Sequence, residues 1–130
     1  MALPVNQPQQ NKILIIDDEP LNILALCAVL KSRGYCTVTA NSAKEGMDKL
    51  LNDGTIKMVL MDMMMPELDG YEATQMLRGN QSTRDIPIVA VTAQAMSHDR
   101  EKCISAGVND YVSKPIDIDV LTAVITKYMQ

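Results

Sequence analysis

The sequence predicts an α/β domain with a doubly wound sheet of five parallel strands. Two observations carry this prediction: short apolar runs alternate with amphipathic helical segments, and the connections between them are short. A third observation is that several of the apolar runs end on a polar residue. The 130 residues, 47% of them hydrophobic and 22% charged, are enough for one domain with a proper core.

The first half of the chain is predicted to hold three strands and two helices. The strands are Ile13–Ile16, Tyr35–Thr39 and Met58–Met61, which are short and rich in aliphatic or β-branched residues. Pro20 begins the first helix, because its missing N–H is not needed at a helix start, and Gly34 ends that helix. The apolar face of this helix is expected to comprise Ile23, Leu24, Cys27, Ala28 and Leu30.

Capping residues locate the other helices. Ser42 and Asp69 are each followed three positions later by glutamate, which is the spacing of a capping box. The fourth helix has a very polar first turn, so its apolar face is expected to be thin. The remaining features are strands at Ile86–Val91 and Val108–Val112, and helices capped by Ser97 and Asp117, the last one burying Leu121, Val124, Ile125 and Tyr128.

Composition and charge narrow the functional class. The net charge is −4, only 3% of residues are aromatic, and no basic cluster occurs, so direct nucleic-acid binding is not expected. The three cysteines form no C-x-x-C pair and are expected to be core residues in a reducing compartment. No apolar stretch is long enough for membrane insertion, which indicates a cytoplasmic domain.

Polar side chains follow four of the predicted strands at the point where each strand ends. Because the carboxyl ends of parallel strands lie at one edge of a sheet, these side chains can converge there. Each signal alone is weak, since acids cap turns and threonines are common in strands. The argument rests on their joint occurrence: Asp17 with Asp18, then Asp62, Thr92 and Lys114.

This set of side chains suits phosphoryl chemistry. Three carboxylates repel one another unless a cation joins them, and oxygen ligands without His or Cys favour Mg²⁺. A carboxylate can act as the nucleophile toward phosphorus, and Asp62 follows the most apolar strand directly. Lys114 and the Thr92 hydroxyl would then bind the oxygens of the transferred group.

The motifs around these positions resemble those of response-regulator receiver domains of two-component signalling. They read Ile-Ile-Asp17-Asp18-Glu-Pro, Asp62-Met-Met-Met-Pro-x-x-Asp-Gly, Val-Thr92-Ala and Asp-Tyr111-Val-Ser-Lys114-Pro, and the resemblance spans Lys12 to Met129. It implies a flavodoxin-like (βα)5 fold with strand order 2-1-3-4-5. The domain would then comprise residues 12–130, and the proline- and amide-rich residues 1–11 would be a flexible lead-in.

The resemblance also implies the chemistry of the site. Asp62 would accept a phosphoryl group from a histidine kinase or a histidine phosphotransfer protein. Asp18 would bind Mg²⁺ directly and Asp17 largely through water. Asp62 itself and the backbone carbonyl of Met64 would complete the protein ligands. The domain would assist its own phosphorylation and dephosphorylation rather than act as an enzyme.

Three further expectations come from the same resemblance. Thr92 and Tyr111 would form the coupled switch pair, and Lys114 would bind the phosphoryl group. The Lys114–Pro115 peptide bond would be cis. The switch would alter the surface of the last two helices and the strand between them, from about Ser97 to Tyr128, where a downstream protein partner would bind.

Other readings remain at this stage. A Mg²⁺-dependent phosphatase with an aspartyl-phosphate intermediate would need a second acid two positions after Asp62, where the chain has Met64. A nucleotide-binding α/β domain would need a glycine-rich phosphate loop after the first strand, and none is present. The chain could be a stand-alone regulator or the receiver of a hybrid histidine kinase, and the amide-rich lead-in favours the second.

Overall fold

Five strands and five helices alternate along the part of the chain that the structure, a computed structural model, describes: residues 11–63, 70–92 and 97–129. The strands are β1 (Lys12–Ile16), β2 (Cys36–Ala40), β3 (Ile56–Asp62), β4 (Ile88–Thr92) and β5 (Asp110–Ser113). The helices are α1 (Pro20–Ser32), α2 (Ala43–Asn52), α3 (Gly70–Gly79), α4 (Ser97–Ala106) and α5 (Ile118–Met129).

The strands form one parallel sheet in the order β2-β1-β3-β4-β5. This arrangement confirms the predicted doubly wound fold and its strand order. β1, β3 and β4 are the inner strands, and from Ile13 and Met58 onward their residues are buried, as expected of strands covered on both faces. All five strands therefore direct their carboxyl ends to the same edge of the sheet.

Two apolar clusters fill the space between the sheet and the helices. Side chains alternate between the faces along each strand, so neighbouring residues of one strand enter different clusters. The first cluster contains Leu14, Ile16, Val59, Met61, Ile88 and Ala90 together with Ala43 and Leu50 of α2 and Ala73 and Leu77 of α3. The second contains Ile13, Ile15, Met58, Leu60, Val89 and Val91 together with Leu26 and Leu30 of α1 and Leu121 and Ile125 of α5.

The predicted buried face of α1 is wrong in part. Leu24 is 67% exposed and Ala28 is also exposed, whereas Leu26, which the prediction left out, is buried beside Leu30. The reason is that α1 is apolar on nearly all sides from Pro20 to Leu30, so helical periodicity cannot indicate which side faces the sheet.

Every strand start differs from the prediction by one or two residues; β1, β2 and β3 begin at Lys12, Cys36 and Ile56 instead of Ile13, Tyr35 and Met58. At β4 and β5 a specific residue accounts for the difference. β4 begins at Ile88 instead of Ile86, since Pro87 has no N–H and contributes only its carbonyl, which accepts from the Val59 N–H at 2.9 Å. β5 begins at Asp110 instead of Val108. Immediately before it, the side-chain oxygen of Asn109 accepts from the Ile88 N–H, so a side chain takes the place of a strand carbonyl.

The helix caps agree with the prediction except in detail. The Ser42 hydroxyl accepts from the Glu45 N–H at 3.1 Å, but the Glu45 carboxylate accepts from the Asn41 N–H, one residue before the expected partner. Asp117 caps α5 by accepting from the N–H groups of the two residues that follow Ile118. Ser97 is the first residue of α4 rather than the residue before it.

Gly46 marks the closest approach of a helix to the sheet. A Cβ atom added at Gly46 would lie 2.3 Å from Cδ1 of Ile16, which is fully buried. Any side chain at this position would force Ile16 to move. The glycine therefore allows α2 to lie directly against β1, immediately before the acidic pair Asp17 and Asp18.

Several sequence predictions fall on other parts of the chain. The Met64 carbonyl, the Asp69 cap and residues 1–10 of the expected lead-in lie outside the described residues. Cys27 and Cys36 are free and half-buried, and Cys27 packs against the second apolar cluster, in line with its prediction as a core residue. Among the described residues, no helix has the length and apolar character required to cross a membrane.

Candidate functional site

Three carboxylates come together at the carboxyl edge of the sheet. Asp17 follows β1 and Asp62 ends β3, and these strands are neighbours with Ile16 paired to Met61. One carboxylate oxygen from each of Asp17, Asp18 and Asp62 lies within 4.8 Å of the other two. Asp17 is 2% exposed and Asp62 is 4% exposed, whereas Asp18 faces solvent. The predicted convergence of these residues is present.

The start of α1 fixes the orientation of Asp17. Its Oδ1 accepts a hydrogen bond from the Glu19 N–H at 2.9 Å, and its own N–H donates to the Ala40 carbonyl of β2. Pro20 then occupies the first helical position, where no hydrogen-bond donor is required. With Oδ1 held by the backbone, Oδ2 is the oxygen that faces the ammonium group of Lys114.

Lys114 supplies the positive charge beside these acids. Its Nζ lies 4.0 Å from Asp17 Oδ2 and 3.8 Å from Asp62 Oδ1. Its backbone N–H donates to the Thr92 carbonyl at 2.8 Å, which keeps the residue in line with β5, and the Lys114–Pro115 peptide bond is cis. One ammonium group cannot balance three carboxylates, so the cluster retains a negative charge that favours a further cation.

Thr92 and Tyr111 lie on neighbouring strands near the same edge. Thr92 is the last residue of β4, is 1% exposed, and is paired with Ser113 of β5. Tyr111 is paired with Ala90 and packs, half-buried, against the first apolar cluster. Because side chains alternate along a strand, Thr92 points to the same face of the sheet as Ala90, which is also the face that Tyr111 contacts.

A groove of about 340 Å³ begins at the site and runs between α1 and the segment that connects β5 to α5. Asp17 and Lys114 lie at the end of the groove next to the carboxylates, and the remaining lining is largely apolar. α1 also carries two exposed leucines outside the groove lining, Leu21 at 76% and Leu24 at 67% exposure. The lining also includes Asn22, Ala25, Leu26, Val29, Pro115, Ile116 and Ile118.

Sequence reasoning missed Asn22, which lines the groove together with Asp17 and Lys114. The available signal was that Asn22 is the one polar residue between Pro20 and Leu30. Asp17, Asp18, Asp62 and Lys114 are brought together as predicted, and Thr92 ends the neighbouring strand.

The chain is similar over most of its length to known signalling domains. The model of the family described as the response regulator receiver domain matches residues 13–126. The sensor histidine kinase RcsC of Escherichia coli K12 is 36% identical over 118 residues, which cover 91% of this chain and 12% of the kinase. The chain therefore spans only a small part of that relative. The response regulator DivK of Brucella ovis is 33% identical over 117 residues, covering 90% of this chain and 94% of DivK.

Solved structures agree with these sequence relatives. The receiver domain of the sensor histidine kinase PA1611 from Pseudomonas aeruginosa PAO1, with magnesium coordinated in its active-site cleft, has a TM-score of 0.83 and 34% identity. The alignment covers 91% of this chain and 96% of that domain. The chemotaxis protein CheY4 of Vibrio cholerae has a TM-score of 0.84 at 20% identity, covering 91% of this chain and 98% of CheY4, and supports the fold alone.

Proposed function

The chain belongs to the family of response regulator receiver domains, and from this premise we propose that Asp62 accepts a phosphoryl group from a histidine kinase or a histidine phosphotransfer protein. The observation that carries the proposal is the position of Asp62. It is 4% exposed at the end of β3, with Lys114 Nζ at 3.8 Å and two further carboxylates within 4.8 Å. The domain acts as a signalling phosphoacceptor rather than as an enzyme with turnover.

The reaction is a substitution at phosphorus. A carboxylate oxygen of Asp62 forms a bond to the phosphorus atom, while the bond from phosphorus to the donor's imidazole nitrogen breaks and the imidazole takes up a proton. Lys114 and the Thr92 hydroxyl stabilise negative charge on the transferred oxygens. Burial of Asp62 limits the access of water to the nucleophile and to the acyl phosphate that it forms.

We further propose that Asp17, Asp18 and Asp62 hold Mg²⁺, with the Met64 carbonyl as an additional ligand. Three carboxylate oxygens within 4.8 Å of one another, with no nitrogen or sulfur ligand among them, fit a hard divalent cation. The magnesium in the active-site cleft of the PA1611 receiver supports this assignment. When bound, the ion would neutralise charge on the carboxylates and on the phosphoryl oxygens.

The outer surface of α1 is the surface on which we place the phosphoryl donor. It combines exposed Leu21 and Leu24 with a groove that leads directly to Asp17 and Lys114. Exposed apolar side chains of this size next to a reactive group are typical of a protein contact surface. A donor that packs here can bring its phosphohistidine to Asp62 without entering the core.

Phosphorylation would be transmitted to a downstream protein partner through Thr92 and Tyr111. The phosphoryl group draws the Thr92 hydroxyl toward it, and the Tyr111 ring moves into the space behind Thr92. The surface that changes is formed by α4, β5 and α5. The net charge of −4 and the scarcity of aromatic residues favour a protein rather than a nucleic acid as this partner. We place this interaction in the cytoplasm.

Incubation with Mg²⁺ and a small amido-phosphate donor tests the assignment of Asp62. One phosphoryl group per chain should be incorporated, and hydroxylamine should release it because the adduct is an acyl phosphate. Asp62→Asn should abolish incorporation, whereas Asp85→Asn, an exposed acid away from the site, should leave it unchanged. Undiminished incorporation in Asp62→Asn contradicts the proposal. Sustained hydrolysis of phosphomonoesters would instead support the phosphatase alternative.

A further inference from the structure

The α4 side chains that the structure describes bury little of their surface. Of the α4 side chains that the structure describes, Glu101, Lys102, Ile104 and Ser105 are exposed and Ala106 is half-buried. Ile104, the largest apolar side chain among them, is 46% exposed. None of these side chains is buried, which agrees with the thin apolar face expected from the sequence, and an element with few buried contacts can be displaced at low cost.

The carboxyl end of α4 is held by Arg78, which lies in the last turn of α3. Arg78 Nε donates to the Gly107 carbonyl at 2.9 Å, and Nη2 donates to the side-chain oxygen of Asn109 at 2.7 Å. Nη1 donates to the Ile86 carbonyl at 2.7 Å, so the same guanidinium also holds the segment that leads into β4. Asn109 is in turn bound to Ile88 through both its backbone N–H and its side chain. This end of α4 is therefore fixed to two other elements.

A second contact between α3 and α4 lies closer to the middle of α4. Lys102 Nζ is 4.3 Å from the centroid of the Tyr71 ring, which is within the distance of a cation–π interaction. Tyr71 lies in the first turn of α3 and packs, half-buried, against the first apolar cluster. Tyr111 packs against the same cluster. A ring that contacts α4 and a ring proposed to move on phosphorylation thus pack against the same apolar cluster.

We propose that the Lys102–Tyr71 contact is a latch that holds α4 against α3 in the unphosphorylated protein, while the Arg78 contacts act as its hinge. The latch sets the equilibrium between the docked and the displaced positions of α4. It rests on the proposed function, because displacement of α4 is the response expected when Tyr111 moves. Repacking of the shared cluster around Tyr111 changes the position of the Tyr71 ring and so weakens its contact with Lys102.

Removing the lysine charge should loosen α4 before any phosphorylation. In Lys102→Gln, amide hydrogen exchange along α4 should become about two- to five-fold faster. Loss of an exposed cation–π pair is expected to shift the local opening equilibrium by that factor. Tyr71→Leu should have the same effect, because it removes the ring. The Lys102→Gln/Tyr71→Leu double variant should be no faster than the larger single variant.

Lys127→Gln is the matched control. Lys127 Nζ lies 5.2 Å from the centroid of the adjacent Tyr128 ring, so this variant removes the same charge without touching the α3–α4 contact. Exchange along α4 in Lys102→Gln that equals exchange in Lys127→Gln overturns the latch. The same holds if exchange increases equally in every helix.

A second measurement separates the latch from the proposed function. Amide chemical shifts are recorded with and without Mg²⁺ and beryllium fluoride, which mimics a phosphoryl group. The shifts of Lys102→Gln without the mimic should move part of the way toward those of the parent with the mimic. If the parent does not respond to the mimic at all, the phosphoacceptor role fails, whereas the exchange measurement, made without Mg²⁺ or mimic, still decides the latch.

Discussion

α1 follows β1 and α4 follows β4, and both strands end at the carboxyl edge of the sheet. Opposite kinds of contact hold the two helices in place. α1 inserts Leu26 and Leu30 into the cluster that it shares with α5, and it remains apolar on its outer side. α4 has no buried side chain among those described and is held through Lys102, and through Arg78 at the residues that follow it. One helix is part of the core, and the other is attached to its surface.

Under the proposed function, the two helices would have two different tasks. A surface that positions a donor against Asp62 must keep its geometry, and burial of aliphatic side chains provides this because packed cores resist displacement. A surface that reports the state of Asp62 must change position at low energetic cost, and a helix with few buried contacts can do so. The proposed function would therefore use both kinds of attachment in one domain.

The largest expected effect comes from the α1 anchor. Leu30 is fully buried, so Leu30→Ala should lower the free energy of unfolding by about 2–5 kcal/mol through lost burial and the cavity that remains. Leu24→Ala, at a position that is 67% exposed, should change it by less than about 0.5 kcal/mol. Urea titration of both variants provides the measurement. Equal losses would mean that α1 is not held by its inner side.

The hinge of α4 should rank second. Arg78→Gln removes hydrogen bonds from a charged donor to the carbonyls of Gly107 and Ile86 and should cost about 1.5–3 kcal/mol. Burial lowers the pKa of Arg78, but the guanidinium remains charged, so the loss should not depend on pH near neutrality. Arg84→Gln, at an exposed position, is the control for urea unfolding. A similar loss in both variants would remove Arg78 from its role as hinge.

The coupling between Asp62 and α4 is expected to be smaller. Thr92→Ala should still accept a phosphoryl group at Asp62, yet it should lose most of a coupling free energy of about 1–3 kcal/mol. When a phosphoryl mimic is added to this variant, the amide chemical shifts of α1 and of the three aspartates should still change. Those of Tyr111 and α4 should no longer change. Persistence of the parent's shifts at Tyr111 and α4 would show that the coupling does not pass through Thr92.

The smallest effect concerns an ion pair at the start of β1, away from both helices. Hydrogen bonds from Thr55 and Lys12 lower the pKa of Asp53 from 3.8 to about 2. Because the folded pKa is the lower one, this contribution to stability is complete above the unfolded pKa and disappears as the pH falls from about 4 to 2. The difference in unfolding free energy between the parent and Asp53→Asn should follow that course in acid titrations of stability. A pH-independent difference in unfolding free energy would contradict this prediction. Asp53→Asn should affect α1 and α4 alike.

The predictability of this molecule from its sequence follows the same division. Strand ends and caps such as Pro20, Ser42 and Asp117 are local signals, and they placed the elements and the acid cluster correctly. The predicted buried face of α1 was wrong in part because exposed and buried apolar residues look the same in sequence.

The contacts of α4 could not be predicted at all. Arg78 is one basic residue in the last turn of a helix, where lysine and arginine are common for electrostatic reasons. Its acceptors, the carbonyls of Gly107, Ile86 and Arg84, are backbone groups that carry no sequence signature. Lys102 and Tyr71 are far apart in the chain, and only their placement on adjacent helices brings them together.

The close approach at Gly46 limits which sequences can preserve this site. Gly54 and Gly79 have open space where a Cβ would lie, so a saturation library should accept many residues there. At Gly46 even alanine would push against Ile16, which immediately precedes the Asp17–Asp18 pair. Variants at Gly46 should therefore be depleted in two separate selections, one for abundance and one for phosphorylation. Gly46 has no chemical role of its own. It nevertheless helps to keep the acidic pair in position, because it lets the helix that covers β1 lie close to Ile16.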